Sequence, residues 1–167
     1  LSNGASGISI SEDSSDFKKF QEALDDICTK MAKSIVGDGE GATKLVTINI
    51  KNANSEKDAN TIAKALANSP LFKTAIYGED ANWGRIISAA GASDAEIDPA
   101  KTSILINELP ILDPEYKIIT NGETLKKALS GKEIAVTMNL HSGNISTTWW
   151  TCDYSEQYIK INAHYRT

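Results

Sequence analysis

Cysteine is scarce in this chain. Cys28 and Cys152 are the two among 167 residues, so one disulfide at most is available and no C-x-x-C pair offers a zinc or redox site. Such sparing use fits a reducing compartment. Histidine is as rare: His141 and His164 have no partner at metal or triad spacing. Neither a Gly-x-Ser-x-Gly elbow nor a His-Glu-x-x-His helix occurs, so the commoner hydrolase and metalloprotease signatures are missing. Long apolar runs are missing too, since no stretch approaches the ~20 residues that a membrane-spanning helix requires. The first residues also lack the basic-then-apolar pattern of a secretory signal. Positive charge is in deficit, with 17 Lys and Arg against 22 Asp and Glu and a net charge of −5. Nucleic acid and anionic membrane surfaces demand a basic face, so a small molecule or a protein is the expected partner.

What is present describes an ordinary globular domain. Hydrophobic residues make up 41% and charged residues 23%, enough for a buried core without the charge excess of a disordered chain. Residues 1–167 are expected to form a single domain. Residues 1–13 are rich in Gly and Ser and are expected as strand end and loop. Phe17, Phe20, Leu24, Ile27, Cys28, Met31 and Ile35 recur at steps of three and four, which places them on one face of a helix from Asp16 to Ile35. Ser15 or Asp16 is the expected cap and Gly37 the stop. That stripe is expected to face the core, with Cys28 buried and unpaired.

Leu45–Lys51 alternates as a half-buried strand. Ser55 and Asp58 resemble a capping box for a helix carrying Ala59, Ile62, Ala63 and Leu66 and ending before Pro70. Thr74–Tyr77 is predicted as a short strand, and Asn82 or Asp80 as the cap of a helix from Trp83 to Ala90. Further strands are expected at Ser103–Leu109, Tyr116–Ile119 and Glu133–Leu140, with a helix at Gly122–Leu129. Thr147–Asp153 and Gln157–Tyr165 are predicted as a closing hairpin. The fold class implied is α/β or α+β, a mixed sheet covered by helices on at least one face.

Three runs stand out chemically. Gly37 to Lys44 sets Gly37, Gly39 and Gly41 at alternate positions, a backbone able to adopt positive φ and approach a neighbour closely. Ala42 occupies the place of a phosphate loop's second glycine, and Asp38 and Glu40 put negative charge where phosphate would lie. Glu40 is instead a carboxylate suited to a ligand ammonium, against the plainer reading of a solvated turn. Tyr77 to Arg85 places Glu79, Asp80 and Asn82 before a helix, where capping is the simpler role. Tyr158 to Thr167 is read as a strand, with Tyr158, Lys160, Asn162 and His164 on one face.

Taken together, these runs resemble the ornithine acetyltransferase family, the bifunctional glutamate N-acetyltransferases of arginine biosynthesis. The matching segments are Asp38 to Lys44 (DGEGATK), Ser69 to Arg85 (SPLFKTAIYGEDANWGR) and Cys152 to Thr167 (CDYSEQYIKINAHYRT), with Leu1 to Gly7 (LSNGASG) at the start. The resemblance implies a self-cleaving fold with an N-terminal threonine nucleophile, shared with related aminopeptidases. It implies transfer of acetyl from N-acetylornithine to that threonine and then to glutamate, with acetyl-CoA as a donor for some members. The threonine is expected upstream of Leu1, and the oxyanion-hole residues in a first, α chain of the same precursor. Two α and two β chains would assemble, with this chain as the C-terminal part of β. No catalytic residue is then expected within these residues. Glu40, Asn162 and Thr167 match the family's substrate-binding positions. No cofactor or metal is implied, and the location is cytoplasmic, or the mitochondrial matrix for a fungal member. Two other readings compete: an aminopeptidase of the same fold, and a non-catalytic assembly fragment.

Overall fold

The computed structural model describes residues 3–115, 117 and 120–165. The predicted strand Tyr116–Ile119 lies largely outside the described residues, as does Thr167. Two compact units form, Leu1–Ser34 and Ile35–Thr167.

The first unit consists of an N-terminal loop and most of α1 (Ser15–Gly37). The helix begins as its periodicity predicts, but its cap lies one residue earlier than expected: Ser14 Oγ accepts from Phe17 N at 3.2 Å. Its polar face carries i,i+3 and i,i+4 pairs, Lys19–Asp16 at 3.3 Å and Lys30–Asp26 at 2.6 Å. The apolar stripe is where expectation fails. No residue of α1 is buried, and Phe20, Leu24, Ile27, Met31 and Ile35 are all exposed. Cys28 is free, as expected, but exposed rather than buried. Periodicity reports that a helix has an apolar face, not that anything in the same chain covers it.

The second unit is built on a five-stranded mixed sheet in the order β3-β2-β4-β1-β5. Its strands are β1 (Leu45–Ala53), β2 (Ser103–Ile106), β3 (Leu109–Leu112), β4 (Glu133–Asn139) and β5 (Ile145–Cys152). The central pair β1–β4 is parallel, and the remaining pairs are antiparallel. Alternation in β1 sends Val46, Ile48 and Ile50 to one face, all fully buried. On that face they join Ile134, Val136 and Met138 of β4 in a single core. The core is covered by α2 (Glu56–Asn68), whose Ala59, Ile62, Ala63 and Leu66 are fully buried. It also receives Phe72 and Ile76 of α3 (Pro70–Tyr77) and Ile86 and Ala90 of α4 (Trp83–Gly91). The short α5 (Gly122–Leu129) contributes Leu125 and Leu129. This is the mixed α/β architecture expected.

Three local assignments are corrected. Thr74–Tyr77 is helical, because Ser69 accepts from Phe72 N and Pro70 occupies the first turn of α3, where its missing N–H costs nothing. Ser103–Leu109 is not one strand: Asn107 and Glu108 have φ of 46° and 66°, the left-handed pair that closes a two-residue hairpin between β2 and β3. Asn107 is held in place from two sides, donating to Ala128 O at 2.8 Å and accepting from Ala135 N at 2.7 Å. Finally, the predicted second arm of the closing hairpin is the helix α6 (Glu156–His164), whose N-cap is Ser155.

Candidate functional site

Glu40 lies on the turn linking α1 to β1. Two backbone bonds fold that turn, Gly39 N to Val36 O at 3.2 Å and Ala42 N to Gly39 O at 2.9 Å. Gly41 takes φ +69°, and a Cβ there would stand 2.6 Å from Tyr158 N. Only glycine therefore lets the turn lie against the first turn of α6.

That contact determines where Asn162 falls. Tyr158 and Asn162 are one helical turn apart on α6, and Asn162 Nδ2 donates both to Tyr158 O and to Glu40 Oε2, each at 2.9 Å. Residues 122 apart in sequence thus meet directly. Both are exposed, so their polar groups face outward. The face predicted from strand alternation is replaced by a helical one, yet Asn162 still reaches Glu40. Thr167 lies outside the described residues.

Beneath this exposed pair is a buried clamp for which sequence reasoning assigned no role. Asp153 is 3% exposed and accepts from Thr43 N at 2.8 Å, Thr43 Oγ1 at 2.5 Å and Lys44 N at 2.9 Å. Three donors on one carboxylate satisfy its buried charge. Ser155, also 3% exposed, donates to Gly41 O at 2.5 Å and accepts from Tyr158 N at 3.4 Å. Asp153 had no local signal, because its partners lie 109 and 110 residues away. Ser155 did have one, a serine three residues before Tyr158 in a position to cap a helix.

The second run, Tyr77 to Arg85, makes mostly local contacts. Asn82 caps α4, its Oδ1 accepting from Arg85 N at 3.1 Å, and its amide donates to Asp80 Oδ2 at 3.0 Å. Arg85 Nη1 donates to Leu71 O and Thr74 Oγ1 at 3.0 and 3.3 Å. Glu79, at φ +55°, pairs at 3.2 Å with Lys44, which is 8% exposed and also donates to Leu129 O. A cleft of about 540 Å³ lies beside this pair, lined among others by Thr43, Lys126, Ser130 and Lys132. His141 Nε2 lies 3.1 Å from Ser103 Oγ.

Against known proteins, the family model described as "ArgJ family" matches residues 1–167. The mitochondrial arginine biosynthesis bifunctional protein ArgJ of Schizosaccharomyces pombe is 43% identical over the whole chain, which spans 39% of that protein. The ArgJ protein of Staphylococcus aureus (strain Mu50) is 40% identical over 95% of the chain and 38% of its own length. The crystal structure of the ArgJ protein from Bacillus halodurans superposes with a TM-score of 0.92 at 36% identity, covering 97% of this chain and 77% of that one. The fold is thus that of the ArgJ protein, and the chain spans about two-fifths of the length of these curated relatives. With the family model matching its whole length and its fold in common with a solved member, the chain belongs to the ArgJ family of bifunctional arginine-biosynthesis proteins.

Proposed function

We propose that the complete protein is a glutamate N-acetyltransferase and that these residues form the C-terminal part of its second chain. Acetyl passes from N-acetylornithine to a threonine hydroxyl upstream of Leu1, releasing ornithine. The acetyl-threonine ester then yields its acetyl to the amine of glutamate, forming N-acetylglutamate and regenerating the hydroxyl. Glu40, Asn162 and Thr167 bind substrate. Glu40 supplies charge for an ammonium, while Asn162 and the Thr167 hydroxyl hydrogen-bond polar ends without selecting a sign. Such a division suits a site serving two amino acids that share an α-amino-acid end and differ in side-chain charge. The partner is the first chain of the same precursor, in an assembly of two copies of each, located in the cytoplasm or, for a fungal member, in the mitochondrial matrix.

The observation that carries this reading is the Asn162–Glu40 hydrogen bond at 2.9 Å, which joins two family motifs from opposite ends of the second unit. The test uses the full-length gene product. Incubation with N-acetylornithine alone should release ornithine and leave one acetyl on the threonine-initiated chain, detected by intact-protein mass. Subsequent glutamate should remove that acetyl as N-acetylglutamate. Release of free acetate with no transfer to glutamate would favour a hydrolase of the same fold and overturn the proposal.

A further inference from the structure

We propose that Asp153 is a positioning residue for substrate binding: its carboxylate holds the Glu40 turn and the start of α6 in one register, so that Glu40 and Asn162 meet. The inference rests on the reading of those two residues as substrate-binding. Its own support is geometric.

The Glu40 turn has three glycines in five residues, and glycine backbone is costly to order. Something must fix it. Asp153 binds the two residues at its exit, Thr43 through both N–H and hydroxyl and Lys44 through N–H. The residue is two positions before Ser155, which ties Gly41 O to the cap of α6. Turn and helix are therefore fastened to the same four-residue link, Cys152 to Ser155. The link is buried where it binds, at 3% exposure for Asp153 and Ser155, whereas Glu40 and Asn162 are exposed above it. Gly41 packs against the backbone of Gln157 and Tyr158 so tightly that no Cβ fits. Any slippage of the turn relative to α6 must accordingly break the Asn162–Glu40 contact. A clamp of this kind acts on substrate only through the residues it aligns.

The experiment is a double-mutant cycle in the full-length, processed enzyme. Asp153→Ala should lower kcat/KM for N-acetylornithine about tenfold or more, the scale of one lost hydrogen bond to a charged group, mainly by raising KM. Asp153→Asn should recover most of that loss. Its Oδ1 still accepts from Thr43 N and Lys44 N, and the Thr43 hydroxyl can turn to accept from the new amide. If Asp153 acts through Glu40, Asp153→Ala should add little when Glu40 is already Gln, because the two losses are coupled. Equal damage in the wild-type and Glu40→Gln backgrounds would overturn the proposal while leaving the substrate site standing. Should Asp153→Ala not fold, Ser155→Ala against Asn162→Ala decides by the same criterion. Kinetics unmoved by Glu40→Gln would instead sink the substrate-site reading itself, and with it the clamp's purpose.

Discussion

Single side chains carry most of the predicted chemistry, and their environments set the size of the expected effects. Glu40 is exposed and takes a hydrogen bond from Asn162, so its loss is not that of a deeply buried charge. A hydrogen bond to a charged group is worth about 1.5–3 kcal/mol against about 0.5–1.5 for a neutral one, and on the proposed reading Glu40 meets a substrate ammonium while Asn162 meets uncharged substrate groups. In the complete enzyme, Glu40→Gln should therefore depress kcat/KM for N-acetylornithine more than Asn162→Ala does, with both variants melting near the wild-type temperature. The reverse order, measured under steady-state conditions, would show that the ammonium is held elsewhere. Asn82 and Asp80 separate in the same way. Asn82 accepts from Arg85 N at the head of α4, whereas the Asp80 carboxylate takes a bond from the Asn82 side-chain amide. Asn82→Ala should cost about 1 kcal/mol in chemical denaturation, and Asp80→Ala clearly less. The Asn-or-Asp choice was open in the sequence because both residue types cap helices, and the run contains both.

At the scale of elements, the junctions are more constrained than the segments they join. Strand β1 shifts register against β5 between Ile50 and Ala53, and Asn52 there takes φ 56°. Its carbonyl accepts from both Ser142 N and Gly143 N, at 2.9 and 2.8 Å. A Cβ at Gly143 would fall 2.3 Å from Ala53 O and 2.8 Å from Ala53 C. Those neighbours are backbone and cannot rotate away. Gly143→Ala should thus destabilise the second unit by about 1–3 kcal/mol, the usual range for forced overpacking. Equilibrium denaturation is the check, and a neutral result would mean the bulge can relax. Helices α3 and α6 teach a related lesson. Each is short, eight and nine residues, and each is started by a serine, Ser69 or Ser155, whose oxygen takes a backbone N–H. Alternating apolar residues in so short a segment satisfy a strand period as well as a helical one, and the cap is the stronger signal.

For the whole molecule, the two units differ in how much apolar surface they cover. Residues 35–167 enclose a continuous core from Val46 to Leu140. Helix α1 leaves Phe20, Leu24, Ile27, Met31 and Ile35 exposed along one stripe. Clustered apolar exposure promotes association. The isolated 167-residue chain should consequently self-associate in sedimentation velocity, and Leu24→Lys with Met31→Lys should shift it toward monomer. Cys28 on the same helix is exposed while Cys152 is half-buried. In the isolated chain a thiol reagent should label Cys28 faster than Cys152. Equal rates, or a monomer that the two lysines leave unchanged, would show that the stripe is covered in solution.

The sequence by itself determined the elements whose signals lie within a few residues. The stripe of α1, the alternation of β1 and the Ser55 cap of α2 are each written in one short window, whereas the choice between Asp80 and Asn82 as the cap of α4 was settled by the bond from Arg85 N. The motifs around Glu40 and Asn162 were legible there as well, since a family resemblance is carried by consecutive residues. Tertiary structure alone decided what depends on distant partners. Asn107 turns a predicted strand into a hairpin because α5 and β4 supply bonds to its amide. Exposure of Cys28 depends on what packs against a helix, which periodicity does not encode. The Asp153 clamp joins residues 109 and 110 apart, and no local pattern marks a carboxylate whose three donors arrive only when β1 and β5 pair side by side.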